Sequence, residues 1–223
     1  MSKLIIFGAG EFAHIAHEYF SHDSDYEVVA FVVDDAFHKF DTFQGLPLIP
    51  LSKMVSEFPN SGFEVFVALT ATNMNKDRTR LFRYFKSEGY KMATYVSSHA
   101  FAWKNVRIGE NTFIFENNVL QPFVSVGNNC ILWSGNHIGH RTVIKDNVFV
   151  SSHVVLSGYC VVEDNCYFGV NATVHNNIHI AKDCIVGAGS MIRKDTAEGL
   201  VYIGAPAQAI PGKTSFDLSL IHI

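Results

Sequence analysis

Two histidines stand three residues apart in the run Asn136-His137-Ile138-Gly139-His140-Arg141. A neutral imidazole at that spacing on an outer surface is suited to take a proton from a reacting group. Near the start of the chain, Gly8-Ala9-Gly10-Glu11-Phe12-Ala13 fits the GxGxxA pattern. Its glycines let backbone approach a phosphate where a helix begins. Asp34-Asp35 closes the next apolar run and could reach a ribose hydroxyl. A solvent-facing histidine without a role and a tight structural turn are the plain alternatives for these two motifs. Four cysteines, Cys130, Cys160, Cys166 and Cys184, complete the set, with no CxxC pair among them.

The elements that must position these residues follow two different patterns. From Val96 to Ile192 every sixth residue is apolar: Val96, Ala102, Ile108, Ile114, Leu120, Val126, Leu132, Ile138, Ile144, Val150, Leu156, Val162, Phe168, Val174, Ile180, Val186 and Ile192. In a chain that is 48% hydrophobic, an unbroken run of that length from a given start arises by chance about 4 times in a million. A period of six belongs to neither a helix nor a strand. It predicts a left-handed parallel β-helix of five to six coils, in which three short strands make one coil of a triangular prism. Turns rich in Asn and Gly, such as Gly127-Asn128-Asn129, supply the left-handed backbone that its corners require.

Residues 1–95 alternate strand and helix and predict a small Rossmann-like α/β domain. Strands are expected at Lys3–Phe7, Glu27–Val33 and Phe63–Leu69, with helices at Glu11–Phe20 and Asn75–Glu88. Ser52 is placed as the cap of a short helix ending before Pro59. The mixed fold thus has domain 1–95, a prism over 96–196, and a C-terminal cap and tail over 197–223. The N-terminal part is half the size of a full dinucleotide-binding fold, so a mononucleotide-sized ligand fits it better.

Phase along the prism sorts the chemistry. Each cysteine falls four residues after an apolar anchor, where other coils carry Val106, Thr112, Val148 or Ala172. The four are therefore expected to be buried packing residues, not redox or zinc groups. Inward positions around His140 are held by Ile138 and Thr142, which leaves His140 on an outer face or corner. Gly158 lies eighteen residues on, directly above it, where a missing side chain would leave room for a ligand. His153, His175 and His179 read as surface or interface residues.

A net charge of −4 without a basic run argues against nucleic acid or an anionic membrane as partner. No apolar run is long enough to span a bilayer, and the N-terminus reads straight into a strand, so a cytoplasmic protein is expected.

A GxG-type N-terminal domain with a strand ending in Asp-Asp, a hexapeptide prism with an Ile-x-His step, and a final Gly204-Ala205-Pro206-Ala207 resemble the NeuD/PglD-type bacterial nucleotide-sugar acyltransferases. The likeness runs from Leu4 to about Pro211. It implies a homotrimer with acetyl-CoA as co-substrate between neighbouring prisms and no metal. By position, the nucleotide-linked sugar would touch Gly10, Glu11, Phe12, Asp34, Asp35 and Thr70. The coenzyme would lie along Phe149, Val170 and Ala188. His140 would be the general base for acetyl transfer to the amine of a 4-amino-4,6-dideoxy sugar, as in glycan or O-antigen precursor synthesis, and the N–H of Gly158 would steady the oxyanion. The family often carries an acidic residue after the base; this chain has Arg141. O-acetylation of a sugar hydroxyl, as in sialic-acid-type enzymes, is the nearest alternative. A γ-type zinc carbonic anhydrase using His137 and His140, and a non-catalytic nucleotide-sugar-binding protein, are alternatives from other classes.

Overall fold

The computed structural model describes residues 1–217, which fall into two compact units: residues 1–70 with 77–95, and residues 71–76 with 96 onward. The end of the expected C-terminal tail, residues 218–223, lies outside the described residues.

The first unit is built on strand β1 (Ser2–Phe7), helix α1 (Glu11–His22) and strand β2 (Tyr26–Val33). Strands β3 (Thr42–Phe43) and β4 (Leu46–Pro50), helix α2 (Leu51–Glu57) and strand β5 (Phe63–Val67) follow. Helix α3 (Lys76–Ser87) and strand β6 (Lys91–Met92) complete it. The sheet order is β3-β4-β2-β1-β5-β6, parallel except for the β3–β4 hairpin. That hairpin was not expected from sequence: two prolines in Leu46–Pro50 disguise a strand that pairs with β2 from Phe31–Leu48 to Val33–Pro50. Apolar strand residues on both sheet faces explain the pairing. Leu4, Ile5, Ile6, Val65 and Phe66 are fully buried under α1 and α3, whose inner residues include Ala13, Ala16, Phe20, Leu81 and Phe85. Helix α2 differs from expectation at its start. Pro50 occupies the cap position and Ser52 lies inside the first turn.

The second unit is the prism. One face stacks Phe113–Ile114, Ile131–Leu132, Phe149–Val150, Tyr167–Phe168 and Ile185–Val186. The second stacks six strands from Phe101–Ala102 to Met191–Ile192, and the third stacks five from Arg107–Ile108 to His179–Ile180. Between these stacked strands every register joins residues eighteen apart, as at Val119–His137 and His137–Val155. The anchors from Ile114 to Ile192 are buried along the prism axis. Ala102, at the open N-terminal end, is exposed because no complete coil lies beneath it. All four cysteines are buried and reduced, and each fills an inward small position. At the other end Leu200–Gly204 continues the first face by pairing with Ile185–Val186, then turns back antiparallel as Ala207–Thr214.

One corner is held by a ladder of amides. Asn111 donates through Nδ2 to Oδ1 of Asn129 at 2.7 Å, and Asn129 does the same to Asn147 at 2.7 Å. Asn75, from the short segment 71–76, donates to the Asn147 carbonyl at 2.8 Å. These prism asparagines have φ near +55°, a conformation that Asn tolerates and most residues do not.

Candidate functional site

In the first unit the expected ligand residues follow the C-terminal ends of three parallel strands: Gly8–Phe12 after β1, Asp34 and Asp35 after β2, and Thr70 after β5. This is the side on which open α/β sheets bind ligands, and β1 lies at the switch point of the strand order. Gly8 makes the turn. Its φ is +130°, and a Cβ there would sit 2.9 Å from the Ala68 carbonyl oxygen. Gly10 caps α1 in open space, and exposed Glu11 opens the first turn. An α-helix leaves its first N–H groups without intrahelical acceptors, so this turn can serve an anion. The Phe12 ring is buried edge-on against Phe66 at 6.1 Å, so its side chain packs the sheet and its backbone is the part that faces the turn.

The two aspartates are held apart by different partners. Asp34 accepts a hydrogen bond from Arg80 of α3 at 3.0 Å, an ion pair that sequence reading missed because α3 lies a whole crossover away. Asp35 accepts the backbone N–H of Ser52 at 3.0 Å, and hydrogen bonding from the Ser52 side chain and then its backbone outweighs desolvation and holds the carboxyl below the usual range. The carboxylate of Asp35 therefore supplies the cap that the Ser52 side chain was expected to make.

In the second unit His140 lies exposed on the edge that follows the second face. Its imidazole fills the space under Gly158: a Cβ on that glycine would meet His140 Cε1 at 2.6 Å and Nε2 at 2.9 Å. The room that sequence reading reserved for a ligand is thus taken by the base itself. The Gly158 N–H does not point into a free site either. It donates to Asn176 Oδ1 at 2.9 Å, a partner that sequence reading did not anticipate. Beside the ring, the Gln121 Oε1 atom lies 2.9 Å from the His140 backbone nitrogen and 3.2 Å from Nδ1. Tyr159 meets the imidazole edge-to-face at 5.1 Å. Nε2 has no hydrogen-bond partner among the described residues. Arg141 turns away, its guanidinium 4.3 Å from the centre of the Phe123 ring.

This edge is strained where the others are relaxed. At the other two edges the left-handed corner positions hold Asn, Asp or Gly, with His153 excepted. On the His140 edge three successive coils place Phe123, Arg141 and Tyr159 there, with φ of +67°, +59° and +60°. Bulky side chains in that region cost about 1–2 kcal/mol each and persist where a function needs them. Gln121 and Tyr159 are neighbours of His140 that sequence reading did not name. The eighteen-residue stacking identifies what lies directly above and below a residue, whereas each of these two is nineteen residues away, one position off the column.

The expected coenzyme positions lie elsewhere on the prism. Val170 and Ala188 are exposed and stacked on the edge that follows the first face, with the Gly189 N–H donating to the Val170 carbonyl at 2.8 Å. Phe149 does not join them: its ring stacks on Tyr167 at 5.3 Å and its N–H donates to the Cys166 carbonyl. One chain therefore keeps His140 and the Val170–Ala188 column on different edges. Burial pushes the thiols of Cys160, Cys166 and Cys184 upward, which removes them as nucleophiles near neutral pH. His137 lines the second face between Val119 and Val155, and His179 pairs with Glu163 at 3.0 Å. Among the described residues no three His, Cys, Asp or Glu side chains converge to hold a metal ion, and no helix is long and apolar enough to cross a membrane.

Comparison with known proteins matches both halves of the chain. The PglD N-terminal domain matches residues 3–85 and the bacterial transferase hexapeptide repeats match residues 105–140 and 159–194. No curated protein sequence matches. Among solved structures, perosamine N-acetyltransferase from Caulobacter crescentus, determined with CoA and GDP-perosamine, superposes with a TM-score of 0.83 at 22% identity, covering 94% of this chain and 97% of that one. The acetyltransferase domain of PglB from Neisseria gonorrhoeae gives 0.84 at 19% identity over 94% and 100% of the two chains. WeeI from Acinetobacter baumannii gives 0.75 at 22% identity over 94% and 100%.

Proposed function

The chain belongs to the NeuD/PglD-type hexapeptide acyltransferases, and from that premise we propose that it moves the acetyl group of acetyl-CoA onto the amine of a nucleotide-linked 4-amino-4,6-dideoxy sugar. The observation that carries this reading is His140 itself: an exposed imidazole on a strained prism edge, braced on three sides, with Nε2 left without a partner. The ligands reported for the perosamine enzyme, CoA and GDP-perosamine, support the choice of donor and of acceptor class.

The neutral amine attacks the thioester carbonyl and forms the C–N bond. His140 takes the proton that the nitrogen sheds, the C–S bond breaks, and the imidazolium returns the proton to the departing CoA thiolate. No covalent enzyme intermediate is needed, in keeping with the buried thiols. The nucleotide would rest against the Gly10 turn, Glu11, Asp34, Asp35 and Thr70, with Phe12 contributing backbone alone. Val170 and Ala188 would line the coenzyme groove. Because they and His140 lie on different edges, the reading requires a second prism to bring a coenzyme column to the base, in a homotrimer.

Acetyl transfer from acetyl-CoA to a panel of nucleotide-linked amino sugars tests the proposal. His140→Ala is expected to lower kcat about 10²–10⁴-fold while saturable acetyl-CoA binding persists. Near-normal turnover by that variant would overturn the assignment.

A further inference from the structure

We propose that Gln121 is a positioning residue that fixes which ring nitrogen of His140 carries the proton, leaving Nε2 as the acceptor. Two contacts of one amide oxygen fix the tautomer. The backbone N–H of His140 is a permanent donor, and the Gln121 amide atom 2.9 Å from it must be the carbonyl oxygen, because the NH₂ group would set donor against donor. The same oxygen lies 3.2 Å from Nδ1. An amide oxygen only accepts, so Nδ1 carries the hydrogen and Nε2 keeps its lone pair. The tautomer therefore follows from a backbone group that cannot change its role.

The remaining neighbours leave this assignment undisturbed. Tyr159 meets the ring edge-to-face and Gly158 closes the space above it. The charge next in sequence, Arg141, is drawn onto Phe123. Gln121 thus takes the orienting place that a carboxylate commonly fills beside a catalytic histidine, but with a neutral acceptor. It fixes direction without adding negative charge. This rests on the reading of His140 as base only for its effect on rate; the tautomer is a separate observable.

The test uses the full chain with ¹⁵N-labelled histidines. Long-range ¹H–¹⁵N correlations report the tautomer of His140, whose signals are identified by their loss in His140→Asn. At pH 8 the unsubstituted protein is expected to show a protonated Nδ1 and a bare Nε2. Gln121→Leu is expected to return His140 to the Nε2–H form that free imidazole side chains favour. In the same variant kcat should fall at least about tenfold, with the KM for acetyl-CoA within twofold. Gln121→Glu keeps the acceptor oxygen, so it should keep the tautomer and move the acid limb of the kcat/KM profile to higher pH. An Nε2–H form in the unsubstituted protein, or a tautomer unchanged by Gln121→Leu, would overturn the proposal while leaving His140 as base intact. A tautomer that shifts while turnover does not would instead overturn the base assignment, and the positioning role with it.

Discussion

The imidazole of His140 lies where a side chain on Gly158, one coil above, would have to be: the nearest approach to an added Cβ is 2.6 Å, at Cε1. Gly158 is not among the residues of positive φ, so its backbone can accept an L-residue, and the three nearest atoms that an added Cβ would meet all belong to the imidazole. Gly158→Ala is therefore expected to leave the fold intact and to tilt His140 off its position. A displacement of about 1 Å at a catalytic group costs about 10²-fold in rate. Loss of kcat with an unchanged circular-dichroism melting curve is the expected pair of measurements; full activity would show that the ring's place under Gly158 does not matter.

The two glycines of the N-terminal turn should separate fold from binding. Gly8 combines a φ of +130° with a backbone oxygen 2.9 Å from any Cβ, so Gly8→Ala should destabilise the protein by about 1–3 kcal/mol. Gly10 has φ −103° and nothing within 4 Å. Gly10→Ala should keep the denaturation midpoint and raise the KM for the nucleotide sugar, since an added methyl stands where a phosphate would approach. Equal destabilisation by the two changes would contradict this division.

How much of this was legible beforehand depends on direction within the fold. Stacking along the prism axis repeats in the sequence, so the burial of Cys166 or Leu156 and the placing of Gly158 above His140 follow from phase. Contacts running across an edge leave no periodic trace. That Gln121 bonds His140 and that Arg80 reaches Asp34 depend on side-chain direction. The burial of Phe12 was hidden by its place in a binding motif. The β3–β4 hairpin was hidden by prolines that are harmless in short, peripheral strands.

The buried thiols make stability fall in alkali. Cys160, Cys166 and Cys184 ionise with more difficulty in the folded chain than at their ordinary value of 9.0, because burial disfavours the thiolate. The folded state therefore holds these protons more tightly than the unfolded one. Their contribution is fully present below about pH 9 and is lost as pH rises towards the folded-state values. Urea midpoints should decline between pH 8.5 and 10.5, and Cys166→Ala should flatten that decline. In native protein at pH 8 a thiol reagent should label none of the three faster than global unfolding exposes them.

At the amide corner, Asn147 has φ +60° and accepts from Asn129. Asn147→Ala loses the acceptor and places Ala in the left-handed region, whereas Asn147→Gly loses only the acceptor. Both should destabilise by about 1–3 kcal/mol from the hydrogen bond, with Ala worse than Gly by about 1 kcal/mol. Calorimetric melting of the two variants tests that order.

The eighteen-residue register seen at Val119–His137 and His137–Val155 gives the prism a reading frame of its own. Removing a whole coil would shorten the stack but return every later residue to the same edge. Removing six residues would keep each anchor facing inward yet carry everything downstream round to the next edge, so that His140 and Gly158 would trade places with another column's occupants. A shift of one residue would turn the interior outward. Length variation in such a chain is consequently quantised, and the six-residue step, silent for folding, is the one that would relocate the chemistry.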